Sequence, residues 1–391
     1  MRAILALFAT LLLAAPLRAE MLPVSDWFAL SEEAARNWIA TELDDRRVRI
    51  QPVKAGHGPA RSVLVLYPRQ SSAYDTAMSR MLEYFRQRGD NIIFEAFNFK
   101  RRDHRGRAAL ALAEKSDSDL ILAMGSDSVA WLHAHYRGGA IPVVSVCAKD
   151  PVELGQIAHY ESGSQTNFAF TSLNMSVDVQ LAYIRKLLPG LRTLAVLVDS
   201  DNQSAVQTQS RPLIAAAERE GLRAIEVAVR DPEQAGYELR ELVPAALERM
   251  RETDPTLTHS ALWITGSTSV FQEIAIINQA AGRLPVLSAV PDIVRPGKDS
   301  AVISIGVSFE SNAYLAAVYA GHVLDGTARP GELPVGIVTP PDIAISFERA
   351  RAIGLKIPFD FFERAGTVID PEGRLVRQGG KRILPLQAAA R

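Results

Sequence analysis

Short apolar runs alternate with helix-length amphipathic segments along most of the chain. In the first half, these patterns predict strands at 62–67, 92–97, 119–124 and 142–147, and helices at 75–88, 105–116 and 127–136. In the second half, they predict strands near 193–198, 223–229, 260–265, 285–289 and 301–305, and helices near 176–188, 205–220, 234–251, 268–281 and 309–325. Strands separated by helices of this length predict parallel sheets covered by helices on both faces.

The two halves also share local motifs. Gly125-Ser-Asp-Ser128 follows an apolar strand in the first half, and Gly266-Ser-Thr-Ser269 follows the equivalent strand in the second half. The copies lie roughly 130 to 140 residues apart, which is too long for a solenoid unit and indicates two similar domains. The predicted fold class is therefore α/β, with two Rossmann-like lobes joined by a hinge. Clefts between domains are common binding sites for small ligands.

Six regions follow from these patterns. They are a signal peptide (1–19), an N-terminal extension (20–60), a first lobe (61–170 with about 306–326), a second lobe (171–305), a hinge-proximal C-terminal segment (327–365) and an irregular tail (366–391). In the extension, Ser31 begins a capped amphipathic helix. Trp27, Phe28 and Trp38 either pack that helix onto the body of the protein or form a surface for a partner.

The first 19 residues have the features of an export signal. Arg2 supplies a positive charge, residues 4–15 form an apolar run, and Leu17-Arg18-Ala19 offers a small residue for cleavage. The run is too short to span a bilayer stably, and no later segment reaches that length. We therefore expect a soluble mature protein that is exported to the periplasm and does not insert into the membrane.

Composition excludes some partners. The chain has 391 residues, of which 48% are hydrophobic, and a formal net charge of −1 at pH 7. This is typical of a globular protein, and the small charge argues against a nucleic-acid partner. The single Cys147 cannot form an intramolecular disulfide. A free cysteine is usually a small buried hydrophobe, with a chemical role as the alternative.

Motifs for cofactor or catalytic chemistry are weak. The motif at Gly125 lacks the final glycine of a nucleophile elbow, and no phosphate-loop or dinucleotide glycine motif is present. His133 and His135 fall on different faces of one predicted helix, because facing positions lie three or four apart. We expect no metal, no cofactor and no catalytic activity. A periplasmic hydrolase that uses the Ser126 or Ser267 region is a remote alternative.

Polar and aromatic residues cluster in the loops that follow the predicted strands. Open parallel sheets bind ligands beyond the carboxyl ends of their strands. A glycine-serine helix start suits an anionic group, although plain helix capping is the alternative interpretation. Acids and amides would orient polar groups, and the tyrosines would stack on an apolar part. The candidate ligand-binding residues are Tyr67, Ser71, Tyr74, Ser126, Asp127 and Asp150 in the first lobe, and Asn174, Asp199, Gln203, Ser267 and Asp292 in the second.

Three segments carry a family resemblance. They are 343–358, the strand end at 143–152 with its Asp150-Pro151-Val152, and the entry to the second lobe at 187–196. These segments resemble the periplasmic ABC-transporter substrate-binding proteins of the tryptophan/tyrosine-binding type, over roughly residues 61–365. The resemblance implies a periplasmic-binding-protein-like (type I) architecture, in which two lobes close about a hinge around a small solute.

The chain departs from this family at two candidate positions. Ser267 stands where an aspartate is common, and such an acid could pair with the ammonium group of an amino acid. Lys149 stands where a neutral residue is more usual, and it would favour an anionic ligand if it reached the cleft. A salt bridge between Lys149 and Asp150 is the alternative.

The leading expectation is a monomeric, exported solute-binding protein. It would capture a small polar or aromatic molecule in the cleft between the lobes and deliver it to the membrane permease of an ABC transporter. The alternative is a periplasmic accessory sensor that passes ligand occupancy to a membrane receptor or kinase. Such a sensor would use the extensions at 20–60 and 366–391.

Overall fold

The computed structural model describes residues 21–383. The predicted signal peptide and residues 384–391 of the predicted tail lie outside the described residues. Within 21–383 the chain forms two large sheets with helices packed against them, and two small sheets of two strands each. No helix in this range is both long and apolar enough to cross a bilayer.

Ten strands and five helices lie between residues 21 and 187. The strands are β1 (Met21–Ser25), β2 (Phe28–Ser31), β3 (Trp38–Asp44), β4 (Arg47–Pro52), β5 (His57–Tyr67), β6 (Asp90–Asn98), β7 (Leu120–Met124), β8 (Val143–Val146), β9 (Phe168–Ala169) and β10 (Thr171–Ser172). The helices are α1 (Glu32–Asn37), α2 (Ser72–Arg88), α3 (Asp103–Lys115), α4 (Gly125–Tyr136) and α5 (Val177–Leu187).

The remaining elements follow from residue 193 onward. The strands are β11 (Thr193–Asp199), β12 (Arg223–Val229), β13 (Ser260–Ile264), β14 (Val286–Ser288), β15 (Ile303–Gly306), β16 (Gly336–Ile337), β17 (Asp342–Ser346), β18 (Thr367–Ile369), β19 (Leu375–Gln378) and β20 (Lys381–Arg382). The helices are α6 (Gln203–Ala205), α7 (Arg211–Arg219), α8 (Ala235–Arg251), α9 (Thr268–Phe271), α10 (Ile274–Ala281), α11 (Phe309–Leu324), α12 (Phe347–Ile353) and α13 (Phe359–Arg364). A π-helical turn joins α6 to α7, and the single helix predicted at 268–281 is divided into α9 and α10.

The parallel parts of the two large sheets have equivalent strand orders. The first has the order β3-β4-β6-β5-β7-β8-β9, and its last five strands are parallel. The second begins β12-β11-β13-β14-β15, again in parallel. The central strands β7 and β13 are buried along their whole length, as parallel strands covered on both faces must be. The shared order places the two glycine-serine motifs at equivalent carboxyl ends.

Helix α11 belongs to the first lobe although it follows strand β15 of the second sheet. It packs against α2 and β8 through a buried stripe of small residues at helical spacing, Ala313, Ala316, Ala317 and Ala320. Strand β16 then pairs with β10, and the chain returns to the second sheet through β17, which is antiparallel to β15. Within the described residues, the chain therefore crosses between the lobes after β10, after β15 and after β16.

The N-terminal extension is mainly β structure, not the helix that the sequence predicts. Ser31 caps α1 through its hydroxyl, but the helix ends at Asn37 and the chain continues as β3. Strand β4 pairs antiparallel with β6, and β3 pairs antiparallel with β4, so both extend the first sheet. Trp27, Phe28 and Trp38 are buried, as the packing interpretation requires. The free edge of β6 allows this segment to form strands. Pairing with that edge satisfies the backbone N–H and C=O groups that a longer helix would have paired internally.

The prediction of an irregular tail is wrong for residues 367–382. Strands β18, β19 and β20 extend the second sheet beyond β17. Gly379 and Gly380, with φ of 54° and 76°, form the tight turn between β19 and β20. Two adjacent glycines with positive φ are a typical signal of a two-residue hairpin. The strands are too short for their apolar pattern to predict them.

Candidate functional site

A small cavity lies between the two lobes, at the carboxyl ends of the parallel strands. Its volume is about 40 Å³, close to the space of one or two water molecules, so the lobes are closed upon it. Larger depressions lie elsewhere; one of about 680 Å³ is next to His259 at the amino end of β13, where parallel sheets do not bind ligands. The residues that line the interlobe cavity are Arg69, Ala73, Tyr74, Ser126, Asp127, Cys147, Lys149, Leu173, Asn202, Ser204, Gly266, Thr268 and Phe309.

The first glycine-serine motif forms part of the wall. Gly125 follows β7 with φ of 71°, and its Cα lies against the ring of Tyr74, where a Cβ would overlap the phenol. Glycine is therefore required by both conformation and space. Ser126 does not cap α4; its hydroxyl accepts a hydrogen bond of 2.9 Å from the backbone N–H of Lys149. This contact ties the loop after β8 to the loop after β7.

Lys149 is a buried cation that reaches across the cavity. Its side chain is 5% exposed, and its Nζ lies so close to Gly266 of the second lobe that a Cβ there would collide with it. Burial lowers the pKa of the ammonium group to about 8. The predicted alternative, a salt bridge with Asp150, is not formed, and no carboxylate of the described residues lies within ion-pair distance of Lys149. The cation therefore faces the cavity without a counter-charge.

The loop that presents Lys149 is held in an unusual conformation. Cys147 has φ of 52°, a value that costs energy for a residue with a side chain. Its backbone N–H donates a hydrogen bond of 2.7 Å to Oδ1 of Asn312 in α11, and Nδ2 of Asn312 donates one of 3.0 Å to the carbonyl of Ser172. Burial, with a smaller effect of the charge of Asp292, raises the pKa of the Cys147 thiol. Cys147 is therefore a neutral wall residue.

Arg69 is a second cation at the cavity. It lies two residues beyond β5, its Nε is buried without a hydrogen-bond partner, and none of the described carboxylates forms an ion pair with it. Asp127 is the one carboxylate in the lining, and its Oδ2 is 2.7 Å from Nε of Arg101. The lining thus has two cations without partners and one carboxylate that is already paired.

Arg69 also borders a wider depression of about 880 Å³ on the same side of the molecule. The depression shares Arg69 and Thr268 with the cavity, and residues of the N-terminal extension, including Trp27, line its far side. The predicted site residue Ser71 lines this depression and not the cavity, and its buried hydroxyl has no partner among the described residues. The depression therefore adjoins the cavity, and Arg69 is in the wall of both.

Tyr67 is buried in the core of the first lobe. Its ring makes edge contacts with Trp27, Phe28 and Tyr74, and burial raises the pKa of its hydroxyl. Tyr67 therefore supports the N-terminal extension, whereas Tyr74 lines the cavity, and burial raises the pKa of its hydroxyl to about 12. Trp27 and Phe28, for which the sequence predicts packing onto the body of the protein or a partner surface, supply two of these aromatic contacts.

Three predicted polar residues form hydrogen bonds within their own lobes. Asp150 accepts from the N–H groups of residues 152 and 153 and from the hydroxyl of Ser172. Asp199 accepts from the N–H of residue 201 and from the hydroxyl of Ser269. Ser267 is fully buried and contacts the N–H of Asp199. These bonds hold neighbouring loops and strands of one lobe together, and they occupy polar atoms that a ligand would otherwise contact.

Three further candidates lie near the cavity without lining it. Asn174 donates to the carbonyl of Thr208, and its buried Oδ1 has no partner among the described residues. Gln203 is exposed and donates to a backbone carbonyl of its own turn. Asp292 is exposed, and its Oδ2 accepts from the N–H of Phe309 at 3.3 Å. Of the eleven predicted residues, the cavity brings together Tyr74, Ser126 and Asp127.

Sequence reasoning missed several lining residues. Arg69, Asn202 and Ser204 lie in loops that follow predicted strands, but nothing in their local sequence distinguishes them from their neighbours. Phe309 begins α11, and only its position after the crossing from β15 places it at the cavity. Among residues 21–383, no group of three or more His, Cys, Asp or Glu side chains is arranged to hold a metal ion.

The family is established by sequence. Residues 88–369 match the family described as ABC transporter substrate binding protein, and the chain belongs to it. The family resemblance seen in the sequence is thereby confirmed. No curated protein sequence matches the chain significantly.

Solved structures confirm the fold. A conserved domain protein from Vibrio cholerae O1 biovar El Tor is 18% identical with a TM-score of 0.63, covering 79% of this chain and 99% of its own. An ABC domain from Streptococcus pneumonia in complex with L-Trp is 16% identical with a TM-score of 0.62, covering 79% and 100%. The ligand-free, open form of a substrate-binding protein with adhesive properties from Clostridium difficile is 19% identical with a TM-score of 0.58, covering 80% and 99%. The two-lobed, periplasmic-binding-protein-like architecture is shared with these proteins.

Proposed function

We propose that the protein is an exported solute-binding protein that captures a small polar or aromatic molecule between its lobes and delivers it to the permease of an ABC transporter. Membership of the substrate-binding family supports this function. The leader-like residues 1–19 support export to the periplasm. No catalytic step is part of the proposal.

One observation carries the proposal: the interlobe cavity is lined by polar side chains from both lobes. Ser126 and Lys149 come from the first lobe, and Asn202, Ser204 and Thr268 come from the second. A ligand held by both halves stabilises the closed arrangement over the open one, because it makes its full set of contacts only when the lobes meet. Closure would thereby report occupancy to a membrane partner.

Closure must be reversible for this function. A cavity of about 40 Å³ is far smaller than the several hundred Å³ of an ordinary small-molecule pocket. A solute would enter while the lobes are apart, and the side chain of Lys149 would move aside to admit it. The crossings after β10, β15 and β16 are where such a hinge would turn.

The test is a thermal-shift screen of the full chain against amino acids, carboxylates, aromatic acids, sugars and small cofactors, with hits confirmed by calorimetry. A ligand at 100 times its dissociation constant stabilises the folded state by about 2.7 kcal/mol, which raises the melting midpoint by a few degrees. Ser126→Trp fills the cavity and should abolish the shift. Ser162→Trp adds the same side chain at an exposed loop position outside the cavity and should keep it.

Delivery needs a separate measurement. Cells with and without the protein are compared for uptake of the labelled hit, and loss of uptake in the deletion strain is the expected result. Normal uptake in the deletion strain, together with binding in vitro, would contradict delivery and favour the sensor alternative. Absence of any midpoint shift across the whole screen would contradict solute binding itself.

A further inference from the structure

We infer that the ligand is a small organic anion whose carboxylate, or an equivalent acidic group, binds between Arg69 and Lys149, and that it carries no ammonium group. This inference rests on the proposed function and narrows the class of its ligand. It follows from the charges of the cavity lining, not from the loop motifs.

Lys149 is a buried cation without a counter-charge among the described residues. A lysine that is 95% buried almost always has a partner, because removing an ammonium group from water is costly unless a counter-charge replaces the hydration. Lys149 has neither an ion pair nor a side-chain hydrogen bond among the described residues, and its Nζ lies in the cavity against Gly266. An anionic group in the cavity would supply the missing partner.

Arg69 provides an independent second cation. Its Nε is buried without a partner, and it lines both the closed cavity and the outer depression. A guanidinium group suits a carboxylate because its N–H donors form a planar fork that matches two oxygens. Arg69 is therefore placed to receive the anion as it enters, and Lys149 to contact it when the lobes are closed.

The described lining offers no unpaired carboxylate to an ammonium group. Asp127 is the one carboxylate there, and it is paired with Arg101. Asp199, at the end of β11, accepts from Ser269 and is nearly fully buried inside the second lobe. The α-ammonium group of an amino acid would therefore lie near two cations without a free carboxylate, and like charges in a desolvated site repel strongly.

The other lining residues indicate which carbon skeleton and substituents the ligand has. Tyr74, Leu173 and Phe309 form an apolar side, and the hydroxyls of Ser204 and Thr268 lie on the side of the second lobe. A short aliphatic or aromatic carbon skeleton fits the first surface, and a carbonyl or hydroxyl substituent fits the second. The expected class is therefore an aliphatic, aryl or keto carboxylic acid.

The test compares probes that share a carbon skeleton but differ in charge. Calorimetry on the full chain uses 3-phenylpropanoate, L-phenylalanine and phenethylamine as one set, indole-3-acetate, L-tryptophan and tryptamine as a second, and succinate with L-aspartate as a third. In at least one set, the anion should bind at least tenfold more tightly than the zwitterion, and the amine should not bind. Inorganic phosphate and sulfate are included, and tighter binding of either than of every carboxylate would overturn the carboxylic-acid assignment.

Variants of Lys149 and Arg69 test whether these two cations cause the preference for an anionic ligand. Lys149→Met should weaken binding of the preferred anion by tenfold or more, Lys149→Arg should retain most of the affinity, and Arg69→Gln should slow association. Lys54→Met removes one exposed lysine outside the cavity lining and should change nothing. Equal or tighter binding of the zwitterion, or a ligand whose affinity is unchanged in Lys149→Met, would overturn the inference and leave the solute-binding function intact. Failure of every probe and of the broader screen would instead contradict the solute-binding function.

Discussion

The ammonium group of Lys149 in the first lobe packs directly against Gly266 in the second lobe. The contact joins the loop after β8 to the loop after β13 across the cavity, and it leaves no room for a Cβ at position 266. Gly266 thus provides the space that the ammonium group of Lys149 occupies when the lobes are closed. The second glycine-serine motif contributes to the site through its glycine, whereas its serine, Ser267, is buried inside its own lobe.

Gly266→Ala should displace the ammonium group and weaken binding of an anionic ligand about tenfold. Folding stability should change by less than ~1 kcal/mol, because the colliding atom is the end of a flexible side chain. Calorimetry and urea unfolding check the two expectations. In a Lys149→Met background the substitution at 266 should have little further effect, and additive losses in this double-mutant cycle would show that the two residues are not coupled.

Lys149→Met should stabilise the protein while it removes ligand affinity. Burial lowers the pKa of Lys149 to about 8, so the unfolded chain binds more protons than the folded protein between pH 8 and the ordinary lysine value of 10.5. Wild-type stability should therefore rise across that window, and below pH 8 the variant should be more stable by about 1 to 3 kcal/mol. Urea unfolding at pH 7 and pH 10 measures this, with Lys54→Met as control. An unchanged difference between the two pH values would contradict a desolvated ammonium group.

Asp75→Asn should stabilise the protein at high pH. Burial raises the pKa of Asp75 to about 7, while its Oδ1 accepts a hydrogen bond of 3.1 Å from the N–H of Ala29 in the extension. The folded state then binds the proton more tightly than the unfolded chain, so wild-type stability falls as pH rises from about 4 to 7. The amide keeps an acceptor for Ala29 without a charge, and should add about 2 to 4 kcal/mol at pH 8 and nothing near pH 3.5. Unfolding curves at both pH values test this, and Asp178→Asn at an exposed position should show no such dependence.

Asn312→Ala should destabilise the protein by about 2 to 4 kcal/mol. The side chain is fully buried, and its loss leaves the N–H of Cys147 and the carbonyl of Ser172 unpaired. Because these groups hold the loop of Lys149, ligand affinity should fall as well. Asn91→Ala, which removes a solvent-accessible bond of 3.0 Å to the carbonyl of Gly58, should cost less than about 1 kcal/mol. A comparable loss in both variants would show that the contacts of Asn312 have no special role.

Helices and strands of the two lobes were predictable because their patterns are local. Strands β7 and β13 are continuous apolar runs, and helices such as α2 and α8 are amphipathic. Both patterns can be recognised within one short segment of sequence. The N-terminal extension was predicted less well. Strand β4 forms because the edge of β6 is free to pair with it, and β3 then pairs with β4. The partners of β4 on β6 lie 44 to 50 residues further along the chain.

The candidate site was only partly predictable. Its place, at the carboxyl ends of the strands and between two similar lobes, follows from the repeat and from the order of elements. The orientation of each loop side chain does not. Tyr67 and Arg69 lie two residues apart, yet one ring is buried under the extension and the other side chain enters the cavity.

The sequence by itself determined the two-lobed α/β class, the repeated glycine-serine motifs and the family, because these depend on hydrophobic periodicity and local spacing. Tertiary structure alone decided which polar groups remain free for a ligand. Asp150, Asp199 and Ser267 are consumed by bonds within their own lobes. Among the described residues, Lys149 and Arg69 are left without counter-charges, because the fold brings both to one cavity while the carboxylate in its lining, Asp127, is paired with Arg101.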